Sequence, residues 1–238
     1  MKLIEKKENA IIFSTEIEES LANAIRRYLN QIPVLAVEEV EISKNDSSLY
    51  DETIAHRIGL IPLKTEKSMK DKTSIELTLN GKEGIIFSKE LTGKAHIVYD
   101  QIPITILNKG QKLELTAIAK LGKGEKHSKF SPGLMFYQNI VDIKIEKNCP
   151  AEIVNSCPKQ ILKVKDGKII VEGSENCDIC ESCLKSCKKH GKDFIQINPT
   201  KDLKITLESF GQLEVKDIFS KAINLLKKDL SEIAKKVK

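Results

Sequence analysis

The apolar stripe that begins at Val215 constrains the fold more than any other feature. Val215, Phe219, Ala222, Leu226, Leu230, Ile233 and Val237 step by four and three without interruption, and Ile218, Ile223 and Leu225 widen the stripe. That period belongs to an amphipathic helix. At 1.5 Å per residue, a helix over roughly the last 25 residues is a rod of about 35 Å, more than a small domain needs to cover its own sheet. Packing within its own domain accounts for about half of such a stripe, and the surplus predicts docking on a helix from another chain.

A second amphipathic helix is expected near the other end of the chain. In E-S-L-A-N-A-I-R-R-Y-L-N-Q-I-P, Leu21, Ile25, Tyr28, Leu29 and Ile32 recur at helical spacing. Acids precede them and basic residues follow, which suits the helix dipole, and Pro33 closes the element. Residues 2–13 read as one strand, and V-L-A-V-E-E-V-E-I-S as another. From 74 to 120, short runs (S-I-E-L-T-L, G-I-I-F, A-H-I-V-Y, K-L-E-L-T-A-I-A) divided by Gly, Asn and Lys turns predict a mostly β region. N-I-V-D-I-K-I-E and D-L-K-I-T-L-E-S-F-G read as later strands.

Between those later strands lies C-D-I-C-E-S-C-L-K-S-C, with Cys177, Cys180, Cys183 and Cys187 at C-x2-C-x2-C-x3-C spacing. Such a run suits an iron–sulfur cluster. Zinc is the rival, although its structural sites usually separate two C-x2-C knuckles by a dozen or more residues so that a tetrahedron can close. Unliganded thiols are the third reading. In two-cluster ferredoxins the fourth cysteine of a run ligates the other cluster and a proline follows it. Here Cys157-Pro158 precedes a hairpin-like segment around Asp166-Gly167, and the run follows. The expected ligand set is therefore Cys157, Cys177, Cys180 and Cys183, holding a [4Fe-4S] or [3Fe-4S] cluster. Cys187, which a lysine follows, and Cys149 stay outside that set as spare thiols. One cluster in a short insert, with no flavin or nucleotide fingerprint, makes a poor electron wire. A structural or redox-sensing clip reads better, since ligation can supply much of a small module's folding free energy.

Bulk properties narrow the class. The net charge is +5, lysines interleave with acids, and tryptophan is absent. No signal-peptide pattern or membrane-length apolar run occurs, so a soluble cytoplasmic protein with reduced thiols is expected. His56, His96, His127 and His190 stand alone and read as structural, and Gly122 and Gly124 lack a nucleotide site's downstream pattern. No catalytic residues are expected.

The stretches N-A-I-R-R-Y-L-N-Q-I-P-V-L-A-V-E-E-V-E-I and N-D-S-S-L-Y-D-E-T-I-A-H-R-I-G-L-I-P-L closely resemble the signature of the D-subunit family of archaeal DNA-directed RNA polymerase. That family is related to the third-largest eukaryotic polymerase II subunit and to bacterial α. The later H-S-K-F-S-P is similar to the family's H-A-K-W-S-P, with Ser128 for Ala and Phe130 for Trp. The resemblance implies an α+β fold: a discontinuous α/β dimerisation domain (1–38, a returning strand at 137–141, and 198–238), a β-rich insert (39–136) and a ferredoxin-like iron–sulfur insert (142–197).

It further implies a non-catalytic platform subunit of DNA-directed RNA polymerase, a nucleotidyltransferase whose active site lies on its large subunits. Small subunit L would pair with it through the two terminal helices, and small subunits N and P and the large catalytic subunits would assemble on the pair. Ile25, Leu29, Phe219, Leu226 and Leu230 would line the contact with L. Arg26 and Arg27 would face a large subunit, where forked guanidinium groups match carboxylates. Little in the sequence supports direct DNA contact. The alternative function is a ferredoxin-like electron-transfer component.

Overall fold

In the computed structural model, every residue is described except 67, 70–72, 147 and 238. Strands β1 (Lys2–Lys6) and β2 (Ala10–Glu16) precede helix α1 (Glu19–Tyr28), which tightens into a 3-10 turn at Leu29–Gln31. Strand β3 (Val34–Asn45), helix α2 (Asp51–Gly59), and strands β4 (Ser74–Gly81), β5 (Gly84–Phe87), β6 (Thr92–Gly93), β7 (Pro103–Leu107) and β8 (Leu113–Gly122) follow. Next come β9 (Gly133–Ile145), β10 (Leu162–Lys165), β11 (Lys168–Val171), α3 (Ser182–Lys189), β12 (Ile195–Ser209) and α4 (Val215–Lys236). The fold is α+β, and the strand pairs whose register is defined are antiparallel. Among the described residues no helix is long and apolar enough to cross a membrane.

The chain divides into two compact units. One comprises Met1–Lys6, Ile12–Ala22 and Phe136–Thr206, the other Lys7–Ile11, Asn23–Met135 and Leu207–Lys238. The second unit has the larger core. Strand β8 lies between β3 and β4 in a sheet ordered β3-β8-β4-β6. Its Leu113, Leu115, Ala117 and Ala119 alternate inward, as a half-buried strand should. Leu77 and Leu79 of β4 meet them, each sealed from solvent. Burial of one such side chain contributes roughly 1.5–3 kcal/mol. Helix α2 lays Ile54 and Ile58, one turn apart and fully buried, onto this core. Glycine is required where β9 begins, because a Cβ on Gly133 would lie 2.1 Å from the Glu208 carbonyl oxygen.

The first unit holds a smaller core of Val141, Ile153, Ile161, Leu162, Cys177, Cys187 and Ile195. A four-stranded sheet ordered β1-β2-β12-β9 supplies its strands Phe136–Ile145 and Ile195–Thr206. Strands β10 and β11 form a separate hairpin, with Lys165 opposite Lys168. Its two turn residues, Asp166 and Gly167, both have positive φ. A two-residue turn of that kind matches the strands' natural twist, and Asp-Gly is among its preferred sequences.

Several elements differ from the sequence reading. The expected strand over 2–13 is a hairpin, folded at Lys7, whose N–H donates to the Ala10 carbonyl at 2.8 Å. Helix α2 has no counterpart in that reading, because two buried isoleucines are too few to display a period. A-H-I-V-Y forms no strand beyond one bridge between Ile97 and Leu63. Strand β7 (P-I-T-I-L) pairs with β5 instead, and its proline sits at the first strand position, where no ladder donor is needed. Strand β12 begins well before its expected start and runs through Pro199, whose fixed φ is compatible with an extended chain.

Strand β3 carries a bulge between Val37 and Glu39, which leaves Glu38 outside the ladder. The bulge re-aims its carboxylate. Lys126 Nζ and Lys129 Nζ each lie 2.8 Å from one of its oxygens. The oxygen facing Lys129 has no hydrogen bond of good angle, so that contact is purely ionic. Together the two ammonium groups hold the Glu38 carboxyl at about 2 rather than 4.5. A depressed carboxylate stabilises the fold fully above its ordinary value and loses that contribution as pH falls toward the depressed one. Glu38→Gln should therefore cost about 1–2 kcal/mol at neutral pH. Thermal melts of both proteins should converge as pH drops from 4.5 to about 2. A gap that stays constant across that window would disprove the ion-pair explanation.

Candidate functional site

The cysteine region is assembled from four local pieces. A 3-10 segment, Ala151–Ser156, delivers Cys157. The β10–β11 hairpin returns the chain to a short turn, Ser174–Asn176, which ends at Cys177. A tight loop then carries Cys180, and Cys183 stands in the first turn of α3. Within that loop Ile179 and Glu181 both take left-handed backbone, with φ of 53° and 58°. For a β-branched residue this is an outlier, and strain of about 1–3 kcal/mol persists only where the surroundings demand it. No sequence pattern announces it.

Cys157, Cys177, Cys180 and Cys183 line one recess, walled by Ile143, Ile161, Leu162 and Ile197. Cys177 is buried, Cys157 and Cys183 are partly covered and Cys180 is exposed. Burial, with Cys157 and Cys177 nearby, pushes the Cys183 thiol up to about 11. Cys177 rises for the same leading reason, although the Ile179 N–H donates to its sulfur. The Leu184 N–H does the same for Cys183. The recess therefore gathers four sulfurs in an apolar setting that disfavours bare thiolates. A cationic centre would supply the missing compensation, and the donor set fits an iron–sulfur cluster. Among the described residues, no three or more His, Cys, Asp or Glu side chains stand in a group that could hold a metal ion.

Cys187 lies outside this recess. It is fully buried on α3, and Cys149 packs against the same core. The histidines do local work. His127 caps the turn at Ser128–Phe130 by accepting the Lys129 N–H at 3.1 Å, and His56 sits in the last turn of α2.

The terminal helices split the seven-residue stripe in two. Val215, Ile218, Ala222 and Leu226 are buried within the chain, as are Ile25 and Leu29. Phe219 is half-covered. Beyond Leu226 the stripe opens: Leu230 is 56 % exposed, Ile233 58 % and Val237 82 %. Helix α4 packs on the turn after α1, and the Tyr28 hydroxyl donates to Asp229 Oδ2 at 3.0 Å. That bond, 201 residues apart in sequence, had no sequence signal. Arg26 and Arg27 are exposed and border a concavity of about 610 Å³ with Asn30, Gln31, Glu125 and Asp229. Arg26 donates twice to Asn23 Oδ1, at 3.2 and 2.9 Å.

Residues 40–136 match the family described as the RNA polymerase Rpb3/RpoA insert domain. The chain is 31 % identical to DNA-directed RNA polymerase subunit Rpo3 of Methanosphaera stadtmanae, over 98 % of this chain and 96 % of that one. It is 33 % identical to the Rpo3 subunit of Pyrococcus furiosus, over 95 % and 92 %. DNA-directed RNA polymerase II subunit rpb3 of Dictyostelium discoideum is 31 % identical, over 98 % and 93 %. Similarity sustained across almost the whole of each chain, in two archaea and a eukaryote, means that this protein belongs to the Rpo3/Rpb3 family of DNA-directed RNA polymerase subunits.

Proposed function

We propose that the chain is a non-catalytic assembly subunit of DNA-directed RNA polymerase, which pairs with the small subunit L through its terminal helices and so builds a platform for small subunits N and P and the large catalytic subunits. The observation that carries the pairing is the open end of α4. A helix of 22 residues buries its stripe only as far as Leu226 and leaves Leu230 and Ile233, with Val237 just past its end, in solvent. An apolar stripe at that spacing gains from a facing helix, because each residue sealed on docking recovers the cost of its exposure to water. The family's full-length similarity supplies the identity of the enzyme. Arg26 and Arg27, exposed in the last turn of α1, suit carboxylates of a large subunit.

The same reading includes an iron–sulfur cluster, [4Fe-4S] or [3Fe-4S], on Cys157, Cys177, Cys180 and Cys183. Its support is the shared recess and the strained loop around Cys180. The cluster would supply folding free energy to a unit whose core is small.

Co-expression with subunit L followed by size-exclusion chromatography tests the pairing. Leu230→Asp should abolish co-elution while leaving the chain's own melting unchanged, since the residue is exposed. Leu226→Asp should instead destabilise the chain itself by several kcal/mol, because it places a charge in a closed core. Intact pairing by the Leu230 variant would remove the end of α4 from the interface. For the cluster, protein purified without oxygen should contain iron and acid-labile sulfide. Cys180→Ser should lose both and Cys187→Ser should keep them; stoichiometric zinc without iron, or the opposite pattern in the variants, overturns the assignment.

A further inference from the structure

The turn that ends at Cys177 is fastened by two side chains from strands distant in sequence. Gln138 stands on β9 and Lys204 on β12, neighbours in one sheet. Gln138 Nε2 donates to the Glu175 carbonyl at 2.9 Å, and Lys204 Nζ donates to the same oxygen at 3.2 Å. A second Lys204 bond reaches Asn176 Oδ1 at 2.8 Å. The two lone pairs of the Glu175 carbonyl are thereby used, and three bonds converge on the two residues just before Cys177. The turn also closes on itself, since the Cys177 N–H donates to the Ser174 carbonyl at 3.1 Å. The same two strands contribute Ile143 and Ile197 to the wall of the recess that Cys177 lines. All of these residues lie within the cysteine-bearing unit.

We infer that Gln138 and Lys204 are positioning residues for Cys177, and that they set how firmly the recess retains an iron–sulfur cluster. This role rests on the cluster reading given above. The loop from Cys177 to Cys183 holds Ile179 and Glu181 in left-handed backbone, which persists only while its ends are fixed. Helix α3 fixes the far end, where the Lys185 N–H donates to the Glu181 carbonyl at 3.0 Å. The near end has a single 3-10 turn, and the bonds from β9 and β12 anchor it. A partner that orients a metal ligand is worth roughly 10–100-fold in metal affinity. Lys204 suits the task because an ammonium offers several donors on a flexible stem, so one group reaches a backbone carbonyl and a side-chain amide together. Both of these bonds go to neutral oxygens, which directs the charge at the turn and not into an ion pair.

The test uses the full chain purified without oxygen, with iron, acid-labile sulfide and the visible charge-transfer absorption followed as an iron chelator is added. Lys204→Met and Gln138→Leu should each lose the absorption roughly 10-fold faster than wild type. Lys204→Arg, which keeps donors in reach, should restore retention. Lys201→Met removes the same charge from an exposed site on the same strand and should leave retention unchanged. Far-UV circular dichroism of each variant should match wild type; where one fails to fold, the other carries the comparison. In the metal-free chain, alkylation mapped by peptide mass should find Cys177 slow to react in wild type and faster in Lys204→Met, while Cys187 stays protected in both. Wild type without iron and sulfide would sink the cluster reading and this role with it. A cluster held equally by wild type and both variants, no rescue by Lys204→Arg, or equal loss in Lys201→Met would each overturn the role of Gln138 and Lys204 and leave the cluster standing.

Discussion

The contact between the two ends of the chain is the constraint on which the larger unit depends. Leu226 and its neighbours on α4 close over the turn that follows α1, and the Tyr28–Asp229 hydrogen bond ties the same two elements. Bringing ends so distant in sequence together has an entropic cost that grows only slowly with the length between them. A cluster of sealed side chains (Ile25, Leu29, Ile218, Ala222 and Leu226) offsets it at roughly 1.5–3 kcal/mol for each large one. Residues between the two helices can thus be elaborated without disturbing the seam. The β3-β8-β4-β6 sheet with α2 on it is one such elaboration, and it coincides with the family match at 40–136.

The same seam explains why the helix is longer than its own unit requires. Its residues up to Leu226, with Asp229, make the intrachain contact, and beyond them Leu230 and Ile233 stay exposed. Within one continuous stripe, burial ends at Leu226, and on the proposed pairing the exposed remainder is what a partner would cover. The division separates two kinds of substitution that look alike in sequence, since Leu226 and Leu230 are one turn apart on the same face yet report on different equilibria.

The cysteine-bearing unit rests on different physics. Its core is small, and its central loop holds Ile179 and Glu181 in backbone conformations that cost energy. The four sulfurs that share a recess draw a line through the six cysteines that the C-x2-C-x2-C-x3-C run does not follow. Cys187 completes the run in sequence but does not line that recess, and it is fully buried in the unit's core.

Both terminal helices and the Asp-Gly hairpin were legible in the sequence, because each depends on local spacing: a helical period and a two-residue turn. The N-terminal hairpin, α2, β7 and the full reach of β12 were not. Each owes its form to a strand or core supplied from elsewhere in the chain, as Ile54 and Ile58 owe their helix to the sheet beneath them. The sequence by itself determined which faces are apolar and where the cysteines fall along the chain. Only the tertiary structure decided where along α4 the stripe passes from core to open surface, which lysines Glu38 meets, and which cysteines share a recess. Those outcomes depend on distances between segments far apart in the chain, and no local pattern encodes them.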